Sequence, residues 1–175
     1  MRRIYTWEDV CIGCHLCELA CVVAQSSSSN PVVAYRNESL LPAPRLRVVE
    51  EANGSFSFAS TCHQCEEPLC LYSCLTGALY RDERGLVRVE AARCVGCWTC
   101  VLACPYGAIR PGAGATSVKC DLCQGRRETP ACVEACPNGA LALAEEPPVR
   151  WREVATLLDQ QFRAEPVQEG AKSVA

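Results

Sequence analysis

Large side chains are scarce in this sequence: three Phe, five Tyr, three Trp and one Met in 175 residues. Something other than bulk must fill and hold the interior, and small folds with thin cores are stapled by disulfides or metals. Lysine is nearly missing, two residues against fifteen arginines, and the basic residues are spread rather than clustered. With a formal net charge of −3 this excludes a general polyanion-binding surface. No run approaches the ~18–20 apolar residues needed to span a bilayer. The N-terminal stretch from Met1 to Val10 carries two arginines but no apolar segment of the kind an export signal requires. The expectation is a soluble protein of a reducing cytoplasm, with any membrane contact made through a partner.

Cysteine is what the sequence has in excess. Its sixteen cysteines on composition alone would suit a secreted disulfide scaffold. The lack of an export signal argues against that, and so does the spacing, which repeats one grammar four times. Cys11, Cys14, Cys17 and Cys21 follow C-x2-C-x2-C-x3-C; Cys62, Cys65, Cys70 and Cys74 follow C-x2-C-x4-C-x3-C. Cys94, Cys97, Cys100 and Cys104 repeat the first spacing, and Cys120, Cys123, Cys132 and Cys136 follow C-x2-C-x8-C-x3-C. The order compact, wide, compact, wide reads as a duplicated pair. A second repeat accompanies it. Gly77-Ala78-Leu79, Gly107-Ala108-Ile109 and Gly139-Ala140-Leu141 each begin three residues after the last cysteine of groups two, three and four. Each predicts a tight turn and then a short strand. Group one lacks this tail and runs into Ser26 to Ser29 and Pro31, a loop signal.

Elsewhere regular structure looks sparse. Residues 45–50 and 55–60 flank Asn53-Gly54 and predict a hairpin; residues 78–81 and 86–89 flank a second turn. After Pro147-Pro148, residues 149–162 set Trp151, Val154, Leu157, Leu158 and Phe162 on one face of a helix. The remainder from Ala164 reads as a tail.

The spacing points to iron and sulfur. Each iron of a cubane takes one thiolate, and C-x2-C-x2-C supplies three within one tight loop; the fourth cysteine of the run serves the neighbouring cluster. Cys104-Pro105 and Cys136-Pro137 match the C-x2-C-x2-C-x3-C-P ending, whereas Cys21-Val22 and Cys74-Leu75 do not. Structural zinc is the alternative, but its four-cysteine sites pair two C-x2-C knuckles across a longer spacer. A tetrahedral ion has no use for the third thiolate of the compact groups. No general acid, base or nucleophile constellation accompanies the cysteines. His15 and His63, inside cysteine loops, read as solvated or as donors to cluster sulfur, and Trp98 as an aromatic shield against water.

These groups, with Lys119-Cys120-Asp121-Leu122-Cys123 and Pro130-Ala131-Cys132-Val133-Glu134-Ala135-Cys136-Pro137, resemble a family over residues 4–145. It is that of the four-cluster iron–sulfur subunits associated with dimethyl-sulfoxide reductase, formate dehydrogenase, formate hydrogenlyase and CO dehydrogenase. The short length and the Cys11-to-Ala24 context look most like the small ferredoxin-like subunit that accompanies CO dehydrogenase. The resemblance implies an α+β fold of two interleaved bacterial-ferredoxin-like halves in residues 1–145, one from about 1–60 with 110–145 and the other 61–109. Residues 146–175 would form the C-terminal helix and tail. It also implies four [4Fe–4S] clusters: Cys11, Cys14, Cys17 and Cys136 on the first; Cys120, Cys123, Cys132 and Cys21 on the second; Cys62, Cys65, Cys70 and Cys104 on the third; Cys94, Cys97, Cys100 and Cys74 on the fourth. The implied function is non-catalytic one-electron transfer. The catalytic partner would be CO dehydrogenase or a molybdenum or tungsten oxidoreductase acting on formate or aldehydes. The acceptor would be a hydrogenase, a flavoprotein reducing NAD(P) or a quinone-linked subunit. A structural or sensory metal module is the competing class, and acid-labile sulfide near four per cubane separates the two.

Since ligation is part of the folding free energy of such a domain, the cluster-free protein is expected not to fold. Calorimetry of iron-stripped protein checks this, and a cooperative thermal transition would overturn it.

Overall fold

The computed structural model describes residues 2–38, 42–51 and 56–147. The helix expected over residues 149–162 and the tail lie outside the described residues. The protein divides into two compact units, 1–145 and 146–175, and every described helix and strand belongs to the first.

Four two-stranded antiparallel ribbons and five short helices make up this unit among the described residues. In sequence order they are β1 (Arg3–Thr6), α1 (Leu16–Gln25), α2 (Pro31–Asn37), β2 (Arg47–Glu50), β3 (Ser57–Ser60), α3 (Leu69–Tyr72) and β4 (Leu79–Arg81). Then come β5 (Val87–Val89), α4 (Thr99–Ala103), β6 (Ile109–Pro111), β7 (Ser117–Lys119), α5 (Ala131–Glu134) and β8 (Leu141–Ala144). The predicted hairpins are β2–β3, with Arg47 opposite Ser60, and β4–β5, with Leu79 opposite Val89. The second is closed by Asp82, whose Oδ1 accepts from the amides of Arg84 and Leu86 at 3.0 and 2.9 Å. That is an Asx-type turn, in which a short side chain replaces a backbone acceptor.

Two ribbons and all five described helices escape sequence reading. β6–β7 joins the tail of group three to the entry of group four, so one hairpin runs across residues 109–110, where the sequence divides the halves. In β1–β8, Arg3 pairs with Ala144 and Thr6 with Leu141; a ribbon between strands so far apart in sequence leaves no local signal. The loop expected around Ser26 to Pro31 is corrected beyond Asn30, because Pro31 opens α2. Asn30 caps that helix, its Oδ1 accepting from the Val32 and Val33 amides at 3.0 and 3.2 Å, and proline is pre-set for a first helical turn.

Packing brings distant groups together. α1 lies against α5, carrying group one to group four, and α3 lies against α4, carrying group two to group three. Cysteines are themselves core residues. One apolar cluster joins Cys17, Cys21, Cys62, Cys120 and Cys132 to Ile4, Leu46, Val48 and Leu141. A second joins Cys70 and Cys100 to Leu79, Val87 and Ile109. The scarcity of bulky side chains is thus matched by sulfur in the interior.

The one carboxylate of the group-four loop between Cys120 and Cys123 is tied on both sides. Asp121 accepts from Arg45 at 2.8 Å and from Arg126 at 2.8 Å on each oxygen, and its Oδ1 also takes the Cys123 amide at 3.1 Å. Burial acts to raise its pKa, but Arg45 and then Arg126 reverse this and hold the carboxyl below its ordinary value. Removing one partner of a buried ion pair leaves uncompensated charge. Asp121→Asn is therefore expected to destabilise the cluster-loaded protein by roughly 3 kcal/mol, read from denaturant unfolding. A loss of under ~1 kcal/mol, as for a surface pair, would contradict this account.

Candidate functional site

Each cysteine group begins with the same backbone device. The residue two places after the first cysteine is left-handed in every group: Gly13 (φ 65°), Gln64 (φ 47°), Gly96 (φ 68°) and Leu122 (φ 56°). Left-handed residues between ordinary ones turn successive amides to one side and form anion-binding concavities. Accordingly the Gln64 amide points at Cys62 Sγ (3.5 Å) and the Leu122 amide at Cys120 Sγ (3.4 Å). At Gly96 the conformation also meets a close approach: a Cβ there would sit 2.3 Å from the Ala115 carbonyl oxygen.

The Gly-Ala-Leu repeat proves to serve the last cysteine of its group. Gly77, Gly107 and Gly139 are left-handed, with φ of 63°, 58° and 62°. The alanine amide then turns back onto sulfur: Ala108 donates to Cys104 Sγ at 3.4 Å and Ala140 to Cys136 Sγ at 3.1 Å. Group one has no such tail, and Arg45, from a loop 24 residues on, supplies the amide to Cys21 Sγ at 3.2 Å. The Ser117 amide, from β7, reaches Cys94 Sγ at 3.4 Å. Amides aimed at sulfur favour the thiolate and tune any cluster it holds.

Two predicted quartets surround cavities. Cys11, Cys14, Cys17 and Cys136 line one, closed by Val48, Ala59, Ala140 and Leu141. Cys74, Cys94, Cys97 and Cys100 line another, with Leu79, Val89 and Trp98 on its wall. Apolar hollows ringed by four sulfurs offer one thiolate to each iron of a cubane. Cys120, Cys21, Cys123 and Cys17 all lie near enough to Cys132 to act on its charge, as Cys62 and Cys104 do on Cys70. Cys65 follows Gln64 in the same loop as Cys62.

Sixteen cysteines in four sets of four are the donor set that iron–sulfur clusters take. Among the described residues no three His, Cys, Asp or Glu side chains converge closely enough to hold one metal ion, as a tetrahedral zinc site requires. Burial pushes the Cys17 and Cys70 thiols up to about 11 and Cys120 up to about 12. It raises Cys132 as well. The Cys74 thiol is instead lowered: burial acts to raise it, but amides of Leu79, Thr76 and Ala78 and the Thr76 hydroxyl outweigh that. Cluster ligation at the buried positions must displace protons.

Both histidines are exposed, in keeping with the solvated reading. The ring nitrogens of His15 face Glu18 Oε2 (2.9 Å) and Glu50 Oε1 (3.3 Å). His63 stacks flat on Tyr106, centroids 3.9 Å apart and planes within 4°. Both therefore have partners other than cluster sulfur. Sequence reading passes over Gln64, Arg45 and Lys119, whose roles depend on contacts across 24 to 56 residues.

If Cys11 and Cys136 serve one site, their losses should not add. Cys11→Ala with Cys136→Ala is expected to lose about four iron atoms per protein molecule, one cubane, as does either change alone. Cys11→Ala with Cys104→Ala should lose about eight, two cubanes. Iron analysis checks this, and additive loss in the first pair would overturn the shared site.

The model of the 4Fe-4S dicluster domain matches residues 54–146. Electron transport protein HydN of Escherichia coli (strain K12) is 44% identical over 156 residues, covering 80% of this protein and 86% of HydN. The thiosulfate reductase electron transfer subunit PhsB of Salmonella typhi is 38% identical over 157 residues, 82% of this protein and 77% of PhsB. The polysulfide reductase B chain of Wolinella succinogenes is 37% identical over 147 residues, 79% of this protein and 73% of that one.

Proposed function

This protein belongs to the 4Fe-4S dicluster domain family, and we propose that it is a non-catalytic relay passing single electrons along a row of four [4Fe–4S] clusters. When bound, each cluster supplies one reversible electron. The ligand sets are those of the four quartets: Cys11, Cys14, Cys17 and Cys136; Cys120, Cys123, Cys132 and Cys21; Cys62, Cys65, Cys70 and Cys104; Cys94, Cys97, Cys100 and Cys74. Two interleaved ferredoxin-like halves carry them, the first two sets in one and the last two in the other.

The observation that carries this reading is that successive quartets adjoin. Cys132 of the second feels Cys17 of the first, and Cys120 of the second feels Cys62 of the third. Cys70 and Cys104 of the third share an apolar cluster with Cys74 and Cys100 of the fourth. A structural metal module has no need of such a row; a conductor does. The protein's own part is to hold thiolates in apolar surroundings, aim amides at them and keep water off, which sets potentials without chemistry on a substrate.

The protein then serves a catalytic subunit in a reducing cytoplasm. From the family resemblance the favoured partner is a CO dehydrogenase, with a hydrogenase or a flavoprotein reducing NAD(P) as acceptor. A molybdenum or tungsten oxidoreductase for formate or aldehydes is the second reading. The thiosulfate and polysulfide reductases to which two relatives belong by name give a specific reason to keep another partner class. Among the described residues no helix is long and apolar enough to cross a membrane.

The test uses protein purified without oxygen together with whatever co-purifies from its native cell. CO, formate, an aldehyde and hydrogen are added in turn while the visible cluster absorbance is followed. Bleaching by CO is expected. Bleaching by formate or aldehyde with CO inert would move the protein to the second reading, and reoxidation of dithionite-reduced protein by thiosulfate or polysulfide alone would move it to the third.

A further inference from the structure

Lys119 is one of two lysines beside fifteen arginines, and it ends β7 directly before Cys120. It is buried, only 5% exposed. Its Nζ donates to the Val87 carbonyl at 2.8 Å and to the Cys120 carbonyl at 3.4 Å. No ion pair of the described residues includes it. A buried ammonium is strongly disfavoured unless an opposite charge stands near it. Carbonyl dipoles satisfy its protons but leave its charge unbalanced.

The position of that charge is fixed by a second buried side chain. Gln64, between Cys62 and Cys65, donates from Nε2 to the same Cys120 carbonyl at 2.8 Å and accepts the Val87 amide on Oε1 at 3.1 Å. Both carbonyls that hold the ammonium therefore belong to residues already clamped. Gln64 comes from the group-two loop, Lys119 from the entry to group four, and Val87 from the ribbon between groups two and three. They meet where the second and third quartets adjoin. The charge reaches sulfur there: Lys119 acts on Cys70 in the direction that favours its thiolate.

We propose that Lys119 is a fixed counter-charge for the two inner clusters, raising their reduction potentials relative to the outer pair and so setting the step at which an electron crosses between the halves. This rests on the relay reading. A positive charge in a low-dielectric interior stabilises an electron added nearby, and the effect falls with distance. The ammonium is held between the two carbonyls, and an arginine at this position keeps the same unit charge. Lys119 is a positioning residue, touching backbone rather than a reacting atom.

The experiment compares the full-length loaded protein with Lys119→Met, which keeps length without charge, Lys119→Gln, which keeps one donor, and Lys119→Arg, which keeps charge. Iron and sulfide are counted, and potentials are read by redox titration followed by electron paramagnetic resonance. The inner signals are those that Cys62→Ala and Cys132→Ala remove. Lys119→Met and Lys119→Gln are expected to keep their iron but lower both inner potentials by at least tenfold in the reduction equilibrium constant, about 59 mV for one electron. The outer pair should move less and Lys119→Arg should stay near wild type. Unchanged inner potentials with iron retained, or an equal shift at all clusters, would overturn the proposal. Loss of clusters from the two uncharged variants but not from Lys119→Arg also supports a need for charge; loss from all three assigns the residue to shape alone and overturns it. The relay reading fails separately, when no partner's substrate bleaches wild-type protein, and that result leaves the measured potentials standing.

Discussion

Amides aimed at sulfur are the constraint on which this structure turns. A thiolate buried among apolar side chains is unfavourable without donors, as the high thiol pKa of Cys17, Cys70 and Cys120 records. The left-handed Gln64 and Leu122, the Gly-Ala turn behind Cys104 and Cys136, and the Arg45 amide behind Cys21 all supply them. α3 and α5 have four residues each, carrying Cys70 and Cys132 and ending before Cys74 and Cys136.

The parts legible in sequence are those written locally. Spacing groups the cysteines, and the repeated Gly-Ala-Leu tail announces a turn and a strand, which β4, β6 and β8 supply at Leu79, Ile109 and Leu141. Asn53-Gly54 announces the ribbon whose strands are β2 and β3. What the sequence could not reveal depends on long-range pairing. β1 meets β8 across 135 residues even at the pair nearest in sequence, Thr6 and Leu141, and nothing at either end carries a signal for the other. α2 is hidden because a serine run and a proline read as loop, although Asn30 and Pro31 are also how a helix begins.

Side-chain roles divide the same way. The cysteines can be named from spacing, since ligand chemistry restricts residue type. Lys119 and Gln64 cannot, because an isolated lysine and glutamine have no pattern, and their meaning arises from carbonyls 32 and 56 residues away. His15 and His63 are exposed, as the solvated reading has it, but their side-chain partners, a carboxylate pair and a tyrosine ring, are announced by no local pattern. Proximity in sequence to a ligand is a weak guide to what a neighbouring side chain touches.

The packing of α1 on α5 and α3 on α4 also orders events during synthesis. On the proposed ligand sets, every cysteine of the third and fourth clusters has been made once the ribosome has passed Cys104. The second waits for Cys132 and the first for Cys136, and β1 waits longer still for its partner strand β8. On those sets the ligands of two clusters are all present while Cys11, Cys14, Cys17 and Cys21 still lack the group-four cysteines they share a cluster with.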